Sequence, residues 1–208
     1  FEYKTGKREY AYTPSLAGRH QGRNAAVALA AAEVLASGQF PLQPDLVIKG
    51  VETARWEGRL EVVSENPLVI LDGAHNEEGA RVLRHYLDDF SLTPVCLIYA
   101  SMKDKPVERM ADILFPAASR IILTTFPYSR AESPDELLKR IPGRYHARIQ
   151  RAESFSRACE QALADVSASG LSRPIPVIIA GSLFLVGEAK KYFSGRQARH
   201  PESRKRKW

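Results

Sequence analysis

Leu68-Val-Ile-Leu71-Asp72-Gly73-Ala74-His75-Asn76-Glu77-Glu78 is the stretch whose reading decides the fold. Four consecutive large aliphatic residues form too short a run for a helix and offer no polar face, so they read as a strand covered on both sides. Gly73 and Ala74 then permit a tight turn. Asn76 is suited to cap a helix, and Glu77 and Glu78 complement the positive end of its dipole, which places a helix over Glu77–Asp89. A buried strand running straight into a helix N-terminus is the repeating unit of a parallel sheet.

The same unit recurs along the chain. Strands are expected at Leu60–Val63, Leu68–Leu71, Val95–Tyr99, Arg120–Thr124, Tyr145–Ile149 and Val177–Ala180. Between and after them, helices are expected at Val107–Leu114, Pro134–Arg140, Ser154–Ser167 and Leu183–Phe193. This alternation with short links predicts an α/β, Rossmann-like fold, a mostly parallel sheet with helices on both faces. Ligands of such sheets bind at the carboxyl ends of the strands. Four loops therefore share one edge: Asp72–Asn76, Ser101–Lys105, Thr124–Thr125 and Gly181–Ser182.

Upstream the pattern is helical. The Ala-rich run Asn24–Leu35 reads as a helix that follows a turn-like Gly18-Arg19-His20-Gln21-Gly22. Pro44-Asp45 opens a second helix over Leu46–Ala54, with Leu46, Val47 and Val51 at helical spacing, and a domain boundary is expected at Trp56-Glu57-Gly58. The chain has 208 residues and a formal charge of +6, but Arg196, Arg199, Arg204, Lys205, Arg206 and Lys207 stand against Glu202 alone at its end. The basicity thus belongs to a tail, expected to be disordered from residue 196 onward, and does not point the folded body at nucleic acid. No apolar run reaches the roughly 20 residues of a membrane span, and no signal pattern precedes the first elements. Cys96 and Cys159 read as reduced, buried thiols of a cytoplasmic protein. Phe1 is not read as a native start.

The Asp72–Asn76 loop carries the strongest chemical signal. An acid and an imidazole three residues apart suit ribose hydroxyls, an ammonium group or a carboxylate, although a turn-forming Asp and a half-buried His are equally open readings. Asn76 and Ser182 suit helix caps, and Ser182 can cap and meet a ligand together. Lys103, Asp104 and Lys105 read as a solvated or loop-ordering cluster.

Several segments in order resemble the folylpolyglutamate synthase/dihydrofolate synthase family. Leu16-Ala-Gly18-Arg-His20-Gln21-Gly-Arg-Asn24-Ala-Ala resembles its G-x-H-Q-x-x-N-A-A segment. Trp56-Glu-Gly58-Arg59, Asp72-Gly-Ala-His75-Asn76, Met102-Lys-Asp104-Lys105, Arg130-Ala131 and Gly181-Ser182-Leu183 follow in the family's order. The resemblance implies an ATP-dependent amide ligase of Mur-ligase type, with a central P-loop ATPase domain followed by a C-terminal domain that closes over ATP. Such an enzyme phosphorylates a folate or pteroate carboxylate to an acyl phosphate, which the amino group of L-glutamate attacks. Carried over position by position, Asn24 contacts adenine, Arg59 the phosphate or ribose side of ATP, and Asp72 the ribose or the glutamate ammonium. His75 and Ser182 position glutamate.

A departure accompanies the likeness. A phosphate cradle needs Gly-x-x-x-x-Gly-Lys-Ser/Thr, and the chain's only Gly-Lys, Gly6-Lys7, is followed by Arg8. Residues 1–54 are accordingly expected to be the helical end of the ATPase domain, with an orphaned strand within Tyr10–Leu16, and residues 55–195 the ligase's C-terminal domain. The metal ligands for Mg²⁺ are expected in the missing part, as is the phosphate site, so the chain alone is expected to be inactive. Two other readings share features with this one: a peptidoglycan Mur-type ligase, and a non-catalytic Rossmann-like module whose basic tail binds nucleic acid.

Overall fold

The computed structural model describes residues 1–5, 8–38, 42–168 and 174–199. It separates into two compact units, Phe1–Leu60 and Glu61 onward.

In the first unit, β1 (Glu2–Lys4) and β2 (Glu9–Ala11) form an antiparallel hairpin with Tyr3 opposite Tyr10. The strand expected within Tyr10–Leu16 is therefore earlier and is not orphaned. Helices α1 (His20–Ala36) and α2 (Pro44–Thr53) follow. Tyr10, Tyr12, Ala25 and Leu29 make a small core, joined by Val47, Ile48 and Val51 of α2. Leu46, expected among the apolar contacts of α2, is exposed instead. Helix α1 begins four residues before the expected Asn24, so the turn-like His20-Gln21-Gly22 is its first turn. Gly22 fits there because a side chain would strike the Phe1 ring, and its carbonyl accepts the Tyr12 hydroxyl at 2.8 Å. Asn24 consequently does not cap the helix; Arg19 holds the cap position without a side-chain bond.

The second unit is a six-stranded sheet. Its strands are β3 (Glu61–Glu65), β4 (Leu68–Leu71), β5 (Val95–Tyr99), β6 (Ala118–Leu123), β7 (Ile149–Arg151) and β8 (Val177–Ala180), in the spatial order β3-β4-β8-β5-β6-β7. Only β3 is antiparallel, paired to β4; every other neighbour is parallel. The helices are α3 (Glu77–Asp89), α4 (Val107–Leu114), α5 (Pro134–Arg140), α6 (Phe155–Ala168) and α7 (Leu183–Arg199). Alternate strand residues Val69, Leu71, Cys96, Ile98, Val177 and Ile179 pack with Ala158, Cys159 and Ala162 of α6 and Leu185 and Ala189 of α7. The period-two alternation sends Tyr99 to the other face. There its hydroxyl meets Met110 Sδ of α4 at 3.7 Å, and its ring sits edge-on to Phe115.

Two elements differ from the sequence reading. The strand expected at Tyr145–Ile149 is a 3₁₀ turn, Gly143–Arg148, and strand pairing starts only at Ile149. Tyr145 turns inward to pack on Phe115, its amide bonds Pro142 O, and Arg148 reaches Ala118 O, all of which a paired strand would forbid. Helix α7 runs to Arg199, past the expected Phe193, so the first residues assigned to the basic tail are helical. Residues 200–208 lie outside the described residues.

Both thiols are shut in the core, and burial pushes Cys96 up to about 12. Neither should react with an aromatic disulfide reagent at pH 8 while the protein is folded, because the nucleophile is the thiolate. Two thiols should appear on unfolding in guanidinium; fast native-state labelling of Cys96 would contradict this packing.

Candidate functional site

Within the second unit, β4, β8, β5 and β6 are neighbours and parallel, so their carboxyl ends lie side by side along one edge. At the end of β4 the Asp72 amide still donates to Ile179 O of β8 at 2.9 Å. The side chain then folds back, its Oδ1 accepting the Ala74 amide at 2.9 Å, and this turn pinches the chain through Gly73 and Ala74. His75 Nδ1 lies 2.8 Å from Gly73 O. A carbonyl can only accept, so Nδ1 carries the proton in this contact and Nε2 points away from it. Asn76 Oδ1 accepts the Gly79 amide at 2.8 Å and caps α3, with Glu77 and Glu78 in the first turn. Asp72 is 7% exposed and His75 half-buried, so each presents only an edge to solvent.

On the neighbouring strand, β8 is followed by Gly181, whose φ is +115°. A Cβ there would stand 2.3 Å from the O of Ala100, the residue that follows β5, so only glycine lets the two strand ends come this close. Ser182 follows, buried, its Oγ accepting the Phe184 amide at 3.2 Å and its carbonyl accepting the Val186 amide. The Oγ proton is not used in that bond. Phe184 is held from the side: Tyr128 of the loop after β6 stacks on it at 4.3 Å, and the Arg130 guanidinium lies over Tyr128 at 5.5 Å. At the end of β6, Thr124 is fully buried and its Oγ1 has no protein partner.

The Ser101–Lys105 loop after β5 is fastened to the loop after β6. Lys103 N bonds Arg130 O, Glu132 N bonds Ser101 O, and Met102 bridges Ala131. Arg140 of α5 completes the fastening, reaching Lys103 O at 3.1 Å, Lys105 O at 2.5 Å and the buried Glu132 carboxylate at 2.6 Å. Lys103 and Lys105 are held through their backbone and also by their charges, Lys103 Nζ reaching Ser129 O at 3.4 Å and Lys105 Nζ pairing with Asp104 at 3.3 Å, and Arg140 and Glu132, which the sequence reading passed over, add the buried pair.

Asn24 and Arg59 belong to the first unit. Gly58 and Leu60, at φ +68° and +48°, bracket Arg59, and buried Leu60 anchors the turn. The Arg59 charge, after burial itself, lowers the His20 imidazole below its ordinary value. His20 stands one helical turn before exposed Asn24, whose Nδ2 donates to Gln21 Oε1 at 3.0 Å. Of the five expected site residues, the structure therefore places Asp72, His75 and Ser182 on one sheet edge, and Asn24 and Arg59 around the start of α1.

The family described as dihydrofolate synthetase, C-terminal domain, matches residues 58–192, which span every strand and loop of that edge. The chain belongs to this family. The dihydrofolate synthase/folylpolyglutamate synthase of Bacillus subtilis (strain 168) is 32% identical over 194 residues, covering 92% of this chain and 43% of that protein. Among solved structures, the synthase of Mycobacterium tuberculosis, complexed with ADP and AMPPCP, superposes with a TM-score of 0.79 at 28% identity, over 89% of this chain and 42% of that one. The bifunctional synthase of Yersinia pestis, complexed with AMPPNP and a Mn ion, gives 0.74 at 25% identity, over 92% and 43%. The chain thus spans less than half the length of these relatives. Among its described residues no three His, Cys, Asp or Glu side chains gather to hold a metal ion. No helix among them is long and apolar enough to cross a membrane. Along the sheet edge of the second unit the polar groups are a carboxylate edge, an imidazole and a hydroxyl, which can bond the polar ends of a small ligand.

Proposed function

We propose that this chain is the C-terminal, nucleotide-closing and glutamate-positioning part of an ATP-dependent amide ligase of the cytoplasm, which joins L-glutamate to a folate or dihydropteroate carboxylate. The observation that carries the reading is the sheet edge itself, where the adjacent ends of β4 and β8 carry Asp72, His75 and Ser182 within the segment that matches the family. In this reading the carboxylate is activated by phosphoryl transfer from ATP, and the glutamate amine attacks the acyl phosphate, expelling phosphate. Asp72, already turned by the Ala74 amide, meets the glutamate ammonium or a ribose hydroxyl through its carboxylate. His75 Nε2 and the Ser182 hydroxyl fix the amino acid's other polar groups. Asn24 takes the adenine and Arg59 the phosphate or ribose side of ATP. Mg²⁺ supplies charge neutralisation at the phosphates when bound, and its ligands are assigned to the part of the enzyme outside this chain.

That remaining part is also the proposed partner of α1. Val27 and Val34, with Ala31 between them, form an apolar stripe along the helix, and both valines are more than 60% exposed. Contiguous exposed apolar surface of this kind marks a docking face. A central ATPase domain would cover it.

The experiment is glutamate-dependent ADP release with tetrahydrofolate as acceptor, run on this chain alone and on the polypeptide that joins it to an ATPase part. Turnover is expected only from the joined form, since closure of two parts completes the site. In that form Asp72→Asn should raise the KM for glutamate or ATP about 10- to 100-fold, the size of one lost charge-assisted bond. Turnover by the chain alone, or an unchanged KM in the variant, would overturn the assignment.

A further inference from the structure

We infer that Arg130 sets a preference for an acidic amino acid, its guanidinium binding the side-chain carboxylate of the incoming glutamate while Tyr128 positions it. The inference rests on the proposed glutamate site along the sheet edge and goes beyond it to a further residue and to the specificity of that site.

Glutamate brings one ammonium and two carboxylates. In the proposed site Asp72 meets the ammonium, while the His75 ring and the Ser182 hydroxyl offer hydrogen bonds but no permanent positive charge. A carboxylate enclosed when two parts of an enzyme close over it needs a cation, because an unpaired buried charge is strongly unfavourable. The α-carboxylate shares a carbon with the ammonium and so stays near Asp72. The side-chain carboxylate is the far end of the molecule, and its cation belongs on the side of β8 away from β4.

Arg130 lies on that side. Its loop leaves β6, two strands beyond β8 in the sheet, and turns back onto the start of α7. Tyr128 stacks on Phe184 at 4.3 Å, Phe184 N is the amide that holds Ser182 Oγ, and the Arg130 guanidinium lies 5.5 Å over the Tyr128 ring. A guanidinium over a ring keeps its N–H donors at its rim. No carboxylate among the described residues pairs with Arg130; Asp104 feels its charge but is paired with Lys105. Arg109 and Arg140, by contrast, already hold Glu77 and Glu132. Lys103 also lacks an acid partner among the described residues, but its ammonium is turned to Ser129 O.

The backbone beneath the guanidinium is fixed. Tyr128 N bonds Phe126 O, Ala131 N bonds Tyr128 O, and Arg130 O accepts Lys103 N. Phe126 stacks on Phe184 as well and is 4% exposed, whereas Phe184 is 43% and Tyr128 39% exposed. The aromatic stack thus leads from the core to water and ends in a cation. A guanidinium already laid on a ring has less freedom to lose when a ligand arrives.

The test uses the joined polypeptide and its ADP release, with L-glutamate compared against L-glutamine, which has nearly the same size but no side-chain carboxylate. Arg130→Met should raise the KM for glutamate about 10- to 100-fold, the size of a lost charge-assisted bond, with kcat and the KM for ATP little changed. The weak use of glutamine should stay as it is, so the preference for glutamate shrinks by the same factor. Tyr128→Leu should raise the glutamate KM by a smaller factor, and Tyr128→Phe, which keeps the ring, should restore it; a role in folding alone would not move glutamate and spare glutamine. Lys103→Met should keep the preference. An Arg130→Met enzyme with the parent's KM for glutamate, or one that loses glutamate and glutamine equally, overturns the inference while leaving the proposed site standing. So does a preference that is lost in Lys103→Met and kept in Arg130→Met. Absence of glutamate-dependent turnover in the unsubstituted joined form overturns the proposed site and the inference together.

Discussion

Gly181→Ala is expected to lower the stability of the sheet unit by about 3 kcal/mol or more, the sum of a left-handed backbone forced on alanine and an overpacked core contact. Two observations set this size. Gly181 holds φ at +115°, a conformation L-residues rarely adopt, and the added Cβ would lie 2.3 Å from Ala100 O and 2.8 Å from the Tyr99 ring. The first of these is backbone immediately after β5, a central strand that cannot move without disturbing β8 on one side and β6 on the other. Tyr99 is fully buried and cannot swing away. Relief must come from the Gly181–Ser182 link, which would pull Ser182 from its bond to Phe184 N and loosen the start of α7. Urea unfolding followed by circular dichroism measures the loss. Gly187→Ala is the control: in the interior of α7, with nothing within 4 Å of the new methyl, it should stabilise by roughly 0.5–1 kcal/mol. A Gly181→Ala protein as stable as the parent would mean that β5 and β8 do not converge as described.

Gly181 also shows which parts of the site could be read in advance. Its place at a strand end was legible because four-residue aliphatic runs alternate with helices so regularly that the parallel order, and with it the shared edge, follows from pattern alone. The caps at Asn76 and Ser182 were legible for the same local reason: their hydrogen bonds reach only two or three residues ahead. What escaped were features settled by distant partners. Tyr145 has strand-like neighbours, yet Phe115, far back in the chain, draws its ring inward and makes the segment a 3₁₀ turn. Gly18 and Gly22 look like breakers, and only Phe1 and Tyr12 explain why α1 runs through the second of them. Arg140 meets Glu132 across 8 residues and Lys103 across 37, a separation at which no spacing rule operates.

Arg140→Met should be the second most damaging single change, costing about 2–3 kcal/mol. That is somewhat less than the removal of one partner from a wholly buried pair, because about a third of the Arg140 side chain is in water. The loss has two parts. Glu132, with its side chain 8% exposed, would be left charged and unpaired, and two loop carbonyls, Lys103 O and Lys105 O, would lose their donor. A double-mutant cycle separates them. If the stranded charge dominates, Glu132→Gln in the Arg140→Met background should restore about 1–2 kcal/mol, whereas in the parent it should be destabilising. If the carbonyls dominate, the second substitution restores nothing. Arg140→Lys is expected to rescue poorly, since a single ammonium cannot reproduce the planar fork that reaches three acceptors at once. The backbone bonds from Lys103 N to Arg130 O and from Glu132 N to Ser101 O survive all three substitutions, so the loops should loosen without coming apart. Faster hydrogen exchange should therefore appear at Lys105 N, which bonds only back to Met102 O within its own loop, before Lys103 N. Exchange that quickens equally across both loops would show that Arg140 supports the fold of α5 and not the edge where β5 and β6 deliver their loops.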